Sequence, residues 1–200
     1  MKITKKALIL VLCGLLCAAI FSCASLGGGG APILAVGEWM TYSDQSNDGG
    51  SSTANMVTAE EVINGETVTT HTVTGNVTTQ FEYGFAGWGI DADEATMNAL
   101  KTARMLSFRI IGDGKRYSIK FKISSVRDYC YHEYTFETLD GQEMLVEVPI
   151  QFFMQPSWGT SVRFNPALVT GVEWQTHESW RLDPRNNPFR VKMWNFMIHP

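Results

Sequence analysis

Asn64-Gly65 lies between two runs rich in β-branched residues, Met56 to Ile63 and Glu66 to Val73. That dipeptide tolerates positive φ at both central positions of a two-residue turn, so it specifies an antiparallel hairpin more firmly than any other feature of the chain. The rest of the sequence repeats the pattern. Gly75 interrupts the second run, and Asn76 to Tyr83 reads as a third short strand. Leu106, Phe108 and Ile110 share one face, Gly112-Asp113-Gly114 turns the chain, and Tyr117, Ile119, Phe121 and Ile123 share the apolar face of the return strand. Alternating runs continue at Cys130 to Thr138, Met144 to Ile150, Val169 to Trp174 and Phe189 to Ile198, separated by turn residues such as Asp140-Gly141 and Pro156 to Gly159. Only Asp91 to Arg104 breaks the pattern. Glu94, Ala95, Met97, Ala99, Leu100 and Lys101 favour helix there, with acidic residues at the start, and one short helix near Asp93 to Arg104 is predicted. Nine or ten short strands, regular turns and one helix imply an all-β chain, an antiparallel β-sandwich or jelly roll, and exclude a parallel α/β sheet. The aromatic content of 12% supplies rings to fill the space between two packed sheets.

The N-terminus carries an address. Lys2, Lys5 and Lys6 precede fifteen uncharged residues, Ala7 to Phe21, which is the basic and apolar pattern of an export signal and too short to span a bilayer comfortably. Ser22 places a small residue beside a scissile bond, and Cys23 places a thiol where a lipid is attached. The run Ile20-Phe21-Ser22-Cys23 resembles the lipobox of bacterial lipoproteins, with Phe21 departing from the usual small residue. The expected organisation is a signal peptide at 1–22, a glycine-rich tether at 23–33 and one folded domain at 34–200, lipid-anchored through Cys23 in the bacterial cell envelope, outside the cytoplasm. Removing the leader lysines leaves 13 basic against 20 acidic side chains, a net of -7, which argues against a nucleic-acid partner. Cys13 and Cys17 fall in the leader and Cys23 at its end, so Cys130 stands alone and no disulfide framework is available.

From Trp39 to Ile198 a series of motifs resembles the complex I intermediate-associated protein 30 family. They are Trp39 with Ser43-Asp44 and Asn47-Asp48-Gly49-Gly50-Ser51-Ser52, then Leu106-Ser107-Phe108-Arg109 with Gly112-Asp113-Gly114-Lys115-Arg116-Tyr117, Phe136-Glu137-Thr138, Val148-Pro149-Ile150 with Phe153 and Gly159, and Pro188-Phe189-Arg190-Val191. The resemblance implies a galactose-binding-like jelly roll similar to certain carbohydrate-binding modules. The family spans assembly factors and sugar-binding modules, so it leaves function open. Phe108, Tyr117, Phe136, Phe153 and Phe189 fall on apolar faces and are expected in the core, and Gly112 and Gly114 mark a tight turn in which Asp113 bonds the turn's own amides.

Catalytic signatures are missing. The sequence has no Gly-x-Ser-x-Gly elbow, His-Glu-x-x-His, phosphate loop or dinucleotide fingerprint, and His71, His132, His177 and His199 have no ligand spacing. His132 alternates with Cys130 and Tyr134 and is expected inside. Asp44, Asp91 and Asp93 would serve a glycosidase-like rival reading, but nothing fixes their separation. No cofactor is expected, with a structural calcium ion at Asp44, Asn47 and Asp48 held as a minority alternative to a plain turn. Outward parity selects Arg109, Lys120, Lys122, Tyr131, Glu133, Gln175, Lys192 and Trp194. Arg109, Lys120, Tyr131, Glu133 and Trp194 form the candidate ligand site, because large aromatics on a polar face need a reason to be there. The function expected is a non-catalytic binding module with a glycan as the favoured partner and an envelope protein in complex assembly as the alternative. Cys23→Ala is expected to abolish incorporation of a palmitate analogue and release the chain from membranes, which metabolic labelling and fractionation check.

Overall fold

The computed structural model describes residues 30–45, 49–176 and 187–200. In chain order its strands are β1 (Ile33–Leu34), β2 (Gly37–Ser43), β3 (Thr53–Ile63), β4 (Glu66–Val77) and β5 (Ala86–Ala92). Helix α1 (Glu94–Thr102) follows, and then β6 (Met105–Ile111), β7 (Arg116–Ile123), β8 (His132–Glu137), β9 (Glu143–Pro149), β10 (Val169–Thr176) and β11 (Asn187–His199). One sheet has the order β3-β4-β11-β6-β9, with β1 also paired to β11, and the other β2-β5-β10-β7-β8. Every pairing between these strands is antiparallel. The chain crosses repeatedly from one sheet to the other, and the result is an antiparallel β-sandwich of jelly-roll type. The end at which the chain enters, marked by Ile33, Met105 and Ile123, is the entry end; Ser43, Ala86 and Arg116 mark the far end.

The hairpin forms where expected. Asn64 and Gly65 have φ of 53° and 86°, and Ile63 faces Glu66 in register. The second arm, however, does not stop at Gly75. β4 continues to Val77, and the expected strand from Asn76 to Tyr83 is instead a loop between β4 and β5. Gly75 serves close packing, since a Cβ there would lie 2.5 Å from Cε1 of Phe189 and 2.0 Å from the carbonyl oxygen of Thr53. The strands that the sequence reading lacked are β2 and β5. Pairing also begins one residue early, because Ile33, assigned to the tether, faces Ile198. The helix is shorter than predicted. Asp91 still belongs to the β5–β2 ladder, opposite Glu38, and Asp93 caps α1 by accepting the Thr96 N–H at 2.7 Å, which holds its carboxyl below the usual range.

The interior is a stack of rings that joins the two sheets. His71 of β4 stacks on Trp39 of β2 at 4.2 Å, Trp39 on Trp174 of β10 at 5.6 Å, and Trp174 on Trp88 of β5 at 6.3 Å with planes 4° apart. Phe108 and Phe196, from the other sheet, meet Trp174 edge-on at 5.5 and 5.0 Å. Phe108, Tyr117, Phe136, Phe153 and Phe189 are buried as expected, and so are His132 and Cys130.

Burial pulls His71 down to about 4, with Nδ1 3.0 Å from the Thr58 hydroxyl. The unfolded chain takes up that proton near pH 6.5 and the folded one does not, so stability is unaffected above neutrality and falls as pH drops from about 6.5 to about 4. The loss from this residue is up to about 3 kcal/mol. His132, lowered by burial too, acts with the same sign. Urea unfolding at pH 7 and pH 4.5 is expected to show a smaller acid loss in His71→Phe, which keeps a stacking ring without a titrating group.

Candidate functional site

Because Trp88, Ile90, Ile119, Phe121, Val172 and Trp174 fill the interior, alternate residues of the same strands face outward. Register arranges them in rows across the β2-β5-β10-β7-β8 sheet. One row is Tyr42, Gly87, Gln175, Ser118 and Thr135, and the next towards the entry end is Met40, Gly89, Glu173, Lys120 and Glu133. Tyr131 stands two residues before Glu133, at the start of β8.

The middle of this face is low on one side and charged on the other. β5 contributes two glycines to it, and Gly87 is required because a Cβ there would lie 2.4 Å from Cζ of Tyr42. The Tyr42 ring therefore lies across β5, and its hydroxyl donates to the Trp174 carbonyl on β10 at 3.1 Å. Burial raises the Tyr42 hydroxyl well above its ordinary value, with the Glu173 charge adding to it. Beside it, Lys120 donates to Gln175 at 3.0 Å and pairs with Glu133 at 3.4 Å. Burial also raises Glu173, an effect opposed by the charges of Lys120 and Lys122 and by a bond to Tyr42. Tyr131 is raised by burial and then by Glu173, and its ring meets Tyr129 edge-on at 6.4 Å. A shallow pocket of about 270 Å³ opens on the β2 edge, lined by Thr41, Tyr42, Ser43, Thr53 and Asn55 among others. The arrangement offers a flat ring with carboxylate, amide and ammonium groups at its side, which suits a ligand having both apolar faces and hydroxyls.

The residues selected from parity divide between the two faces of the sandwich. Lys120, Tyr131 and Glu133 come together here, with Lys122 and Gln175. Arg109 lies in the opposite sheet and pairs with Glu143, and Lys192 there pairs with Glu61 at 2.9 Å. Trp194 stands opposite Arg109 in register and is no platform, being 2% exposed. A β-bulge follows Trp194, with Asn195 at φ of 50°. Tyr42 and Glu173 are the residues that sequence reasoning missed. Their signal was the alternation of Met40 and Tyr42 with Trp39 and Thr41, and a Gly87-Trp88-Gly89 run whose tryptophan must point inward. Cys23 lies outside the described residues.

With these faces defined, family membership follows from the pattern of the whole chain, because the profile of the complex I intermediate-associated protein 30 family matches residues 34–181. The chain belongs to that family. No curated protein sequence matches it. Among solved structures it is similar to an exo-β-agarase, at 11% identity and a TM-score of 0.48 over 78% of this chain and 24% of that one, so it spans about a quarter of that protein. It is similar also to a family 4 carbohydrate-binding module, at 8% identity and TM-score 0.42 over 85% and 95% of the two chains, and to a family 29 module, at 11% and 0.38 over 81% and 89%.

The family's opening loop has a structural task in this member. The buried Asp44 carboxylate accepts the Ser52 N–H at 2.9 Å, the Ser52 hydroxyl at 2.7 Å and the Phe85 N–H at 3.2 Å, which ties the end of β2 to the starts of β3 and β5. A Cβ at Gly50 would strike that carboxylate at 2.2 Å. Both carboxylate oxygens accept hydrogen bonds within this loop; Asn47 and Asp48 lie outside the described residues. Asp113 likewise reaches beyond its own turn, accepting from the Tyr117 hydroxyl at 2.9 Å and from the Arg190 N–H at 3.1 Å. Asp44, at the far end, and Asp93, capping α1 at the entry end, do not converge. Asp44→Ala strands two buried donors and one half-buried one and is expected to cost about 2–4 kcal/mol. Thermal unfolding is expected to show the same loss with calcium and with chelator.

Proposed function

We propose that this chain is a non-catalytic binding module of an envelope lipoprotein, anchored through Cys23, that takes a glycan on the outward face of the β2-β5-β10-β7-β8 sheet. The observation that carries this reading is the Tyr42 ring laid over Gly87, flanked by Glu173, Gln175, Lys120 and Glu133. A pyranose has one apolar face, which a flat ring accepts, and equatorial hydroxyls, which those side chains meet. Hydroxyls exchange bonds to water for bonds to protein with little net gain, so single-site affinity is modest. The carboxylates considered for hydrolysis have other tasks: Asp44 holds a loop and Asp93 caps a helix.

A glycan array run beside a pull-down from envelope extract tests this reading. At least one glycan is expected to bind without being cleaved. Tyr42→Ala is expected to weaken it roughly ten-fold, about 1.4 kcal/mol, and Glu173→Gln to change which glycans bind. Cleavage of the bound glycan, binding unchanged in both variants, or retention of protein partners alone would overturn it.

A further inference from the structure

The exposed apolar side chains are concentrated at one end of the sandwich. β1, where the chain enters, pairs with the last residues of β11, and Arg104 links His199 to Ile150 through backbone bonds of 2.8 Å each. Phe152 follows that link, and Met154 bridges to Glu133 on the neighbouring sheet. Gly159 is pressed against Cys130, where its Cβ would lie 2.3 Å from that of Cys130, so the loop carrying Trp158 packs on the loop carrying Tyr129. Tyr129 is 74% and Trp158 63% exposed, and Leu34, Val36, Phe152 and Met154 at the same end are exposed too.

The two loops that carry these rings are tied together by side-chain hydrogen bonds. Asp128 accepts the Thr160 N–H at 2.7 Å and the Cys130 N–H at 3.2 Å. Gln155 donates to the carbonyls of Cys130 and Thr160 at 2.8 and 2.9 Å and accepts the Val162 N–H at 2.7 Å. Tyr129 itself has φ of 62°, the left-handed region that a bulky residue avoids unless its surroundings fix it there. Exposed Arg127 and Arg163 belong to the same two loops.

The length of chain before this end identifies what covers it. Six residues separate Cys23 from Gly30, seven Cα–Cα steps with a reach of at most about 25 Å. A lipid on Cys23 keeps the entry end near the bilayer at an effective concentration on the order of millimolar, at which weak contacts are populated. Trp and Tyr favour the bilayer interface, and arginine favours anionic headgroups. Among the described residues no helix is long and apolar enough to cross a membrane. We infer that the entry end, through Tyr129, Trp158 and Phe152 with Arg127 and Arg163, docks on the surface of the membrane that holds the lipid anchor. This rests on the anchor at Cys23 and is independent of the glycan site.

The test uses the full chain extracted from membranes, its mass reporting the Cys23 lipid, and reconstituted into phosphatidylethanolamine–phosphatidylglycerol vesicles with brominated acyl chains. Tryptophan emission is expected to be quenched in the wild type and largely not in Trp158→Phe. Tyr83→Trp on the Trp158→Phe background, which places the probe in the loop between β4 and β5 at the far end, is expected to stay bright. Unquenched wild type, equal quenching in Trp158→Phe, or equal quenching of the Tyr83→Trp probe would overturn the docking while leaving the glycan reading intact. A chain whose mass shows no lipid overturns the anchor and the docking together.

Discussion

Trp174 is the point on which both halves of the molecule depend. Its ring lies in the stack from His71 to Trp88 and meets Phe108 and Phe196 of the opposite sheet, so it joins the two layers directly. Its backbone carbonyl also receives the Tyr42 hydroxyl on the other face of the strand. Strand pleat then leaves no choice for its neighbours: with Trp174 inside, Glu173 and Gln175 must be outside. One buried indole thereby fixes the sandwich and orients the side chains of the candidate binding face.

The fold was legible where local chemistry and tertiary packing agree. Asn64-Gly65 needs no distant partner to make its turn, and the two-residue period of Tyr117 to Ile123 reports its buried face directly. Legibility failed where a residue's role is set from across the sandwich. Gly75 carries the same letter as a strand breaker, but its task is to admit the Phe189 ring, a contact 114 positions away in sequence. β5 was hidden because two of its three outward positions, Gly87 and Gly89, are glycines, so the alternation that marks a strand is weak on its outer side.

The candidate site shows the same limit. Parity along a strand says inside or outside but not which sheet the strand joins, so Arg109 and Trp194 were grouped with Lys120 and Glu133 although the sandwich separates them. Trp194 failed for a second reason, since outward parity does not guarantee exposure and its side chain is buried. Tyr42 and Glu173 could not be found by looking for polar patches, because what marks them is the empty space at Gly87 and the closeness of a carboxylate, a phenol and an ammonium contributed by three strands.

The strands of the β2-β5-β10-β7-β8 sheet run between the entry end and the far end, and the rows of outward side chains cross them. On a chain seated by its entry end, that sheet stands upright like a wall, and each row lies level with the bilayer plane. A linear polymer lying flat along the membrane would meet such a row lengthwise, whereas one projecting away from it would cross the rows and touch each only once. On that seating, the order of the rows would favour polymers that lie along the surface over those that rise from it.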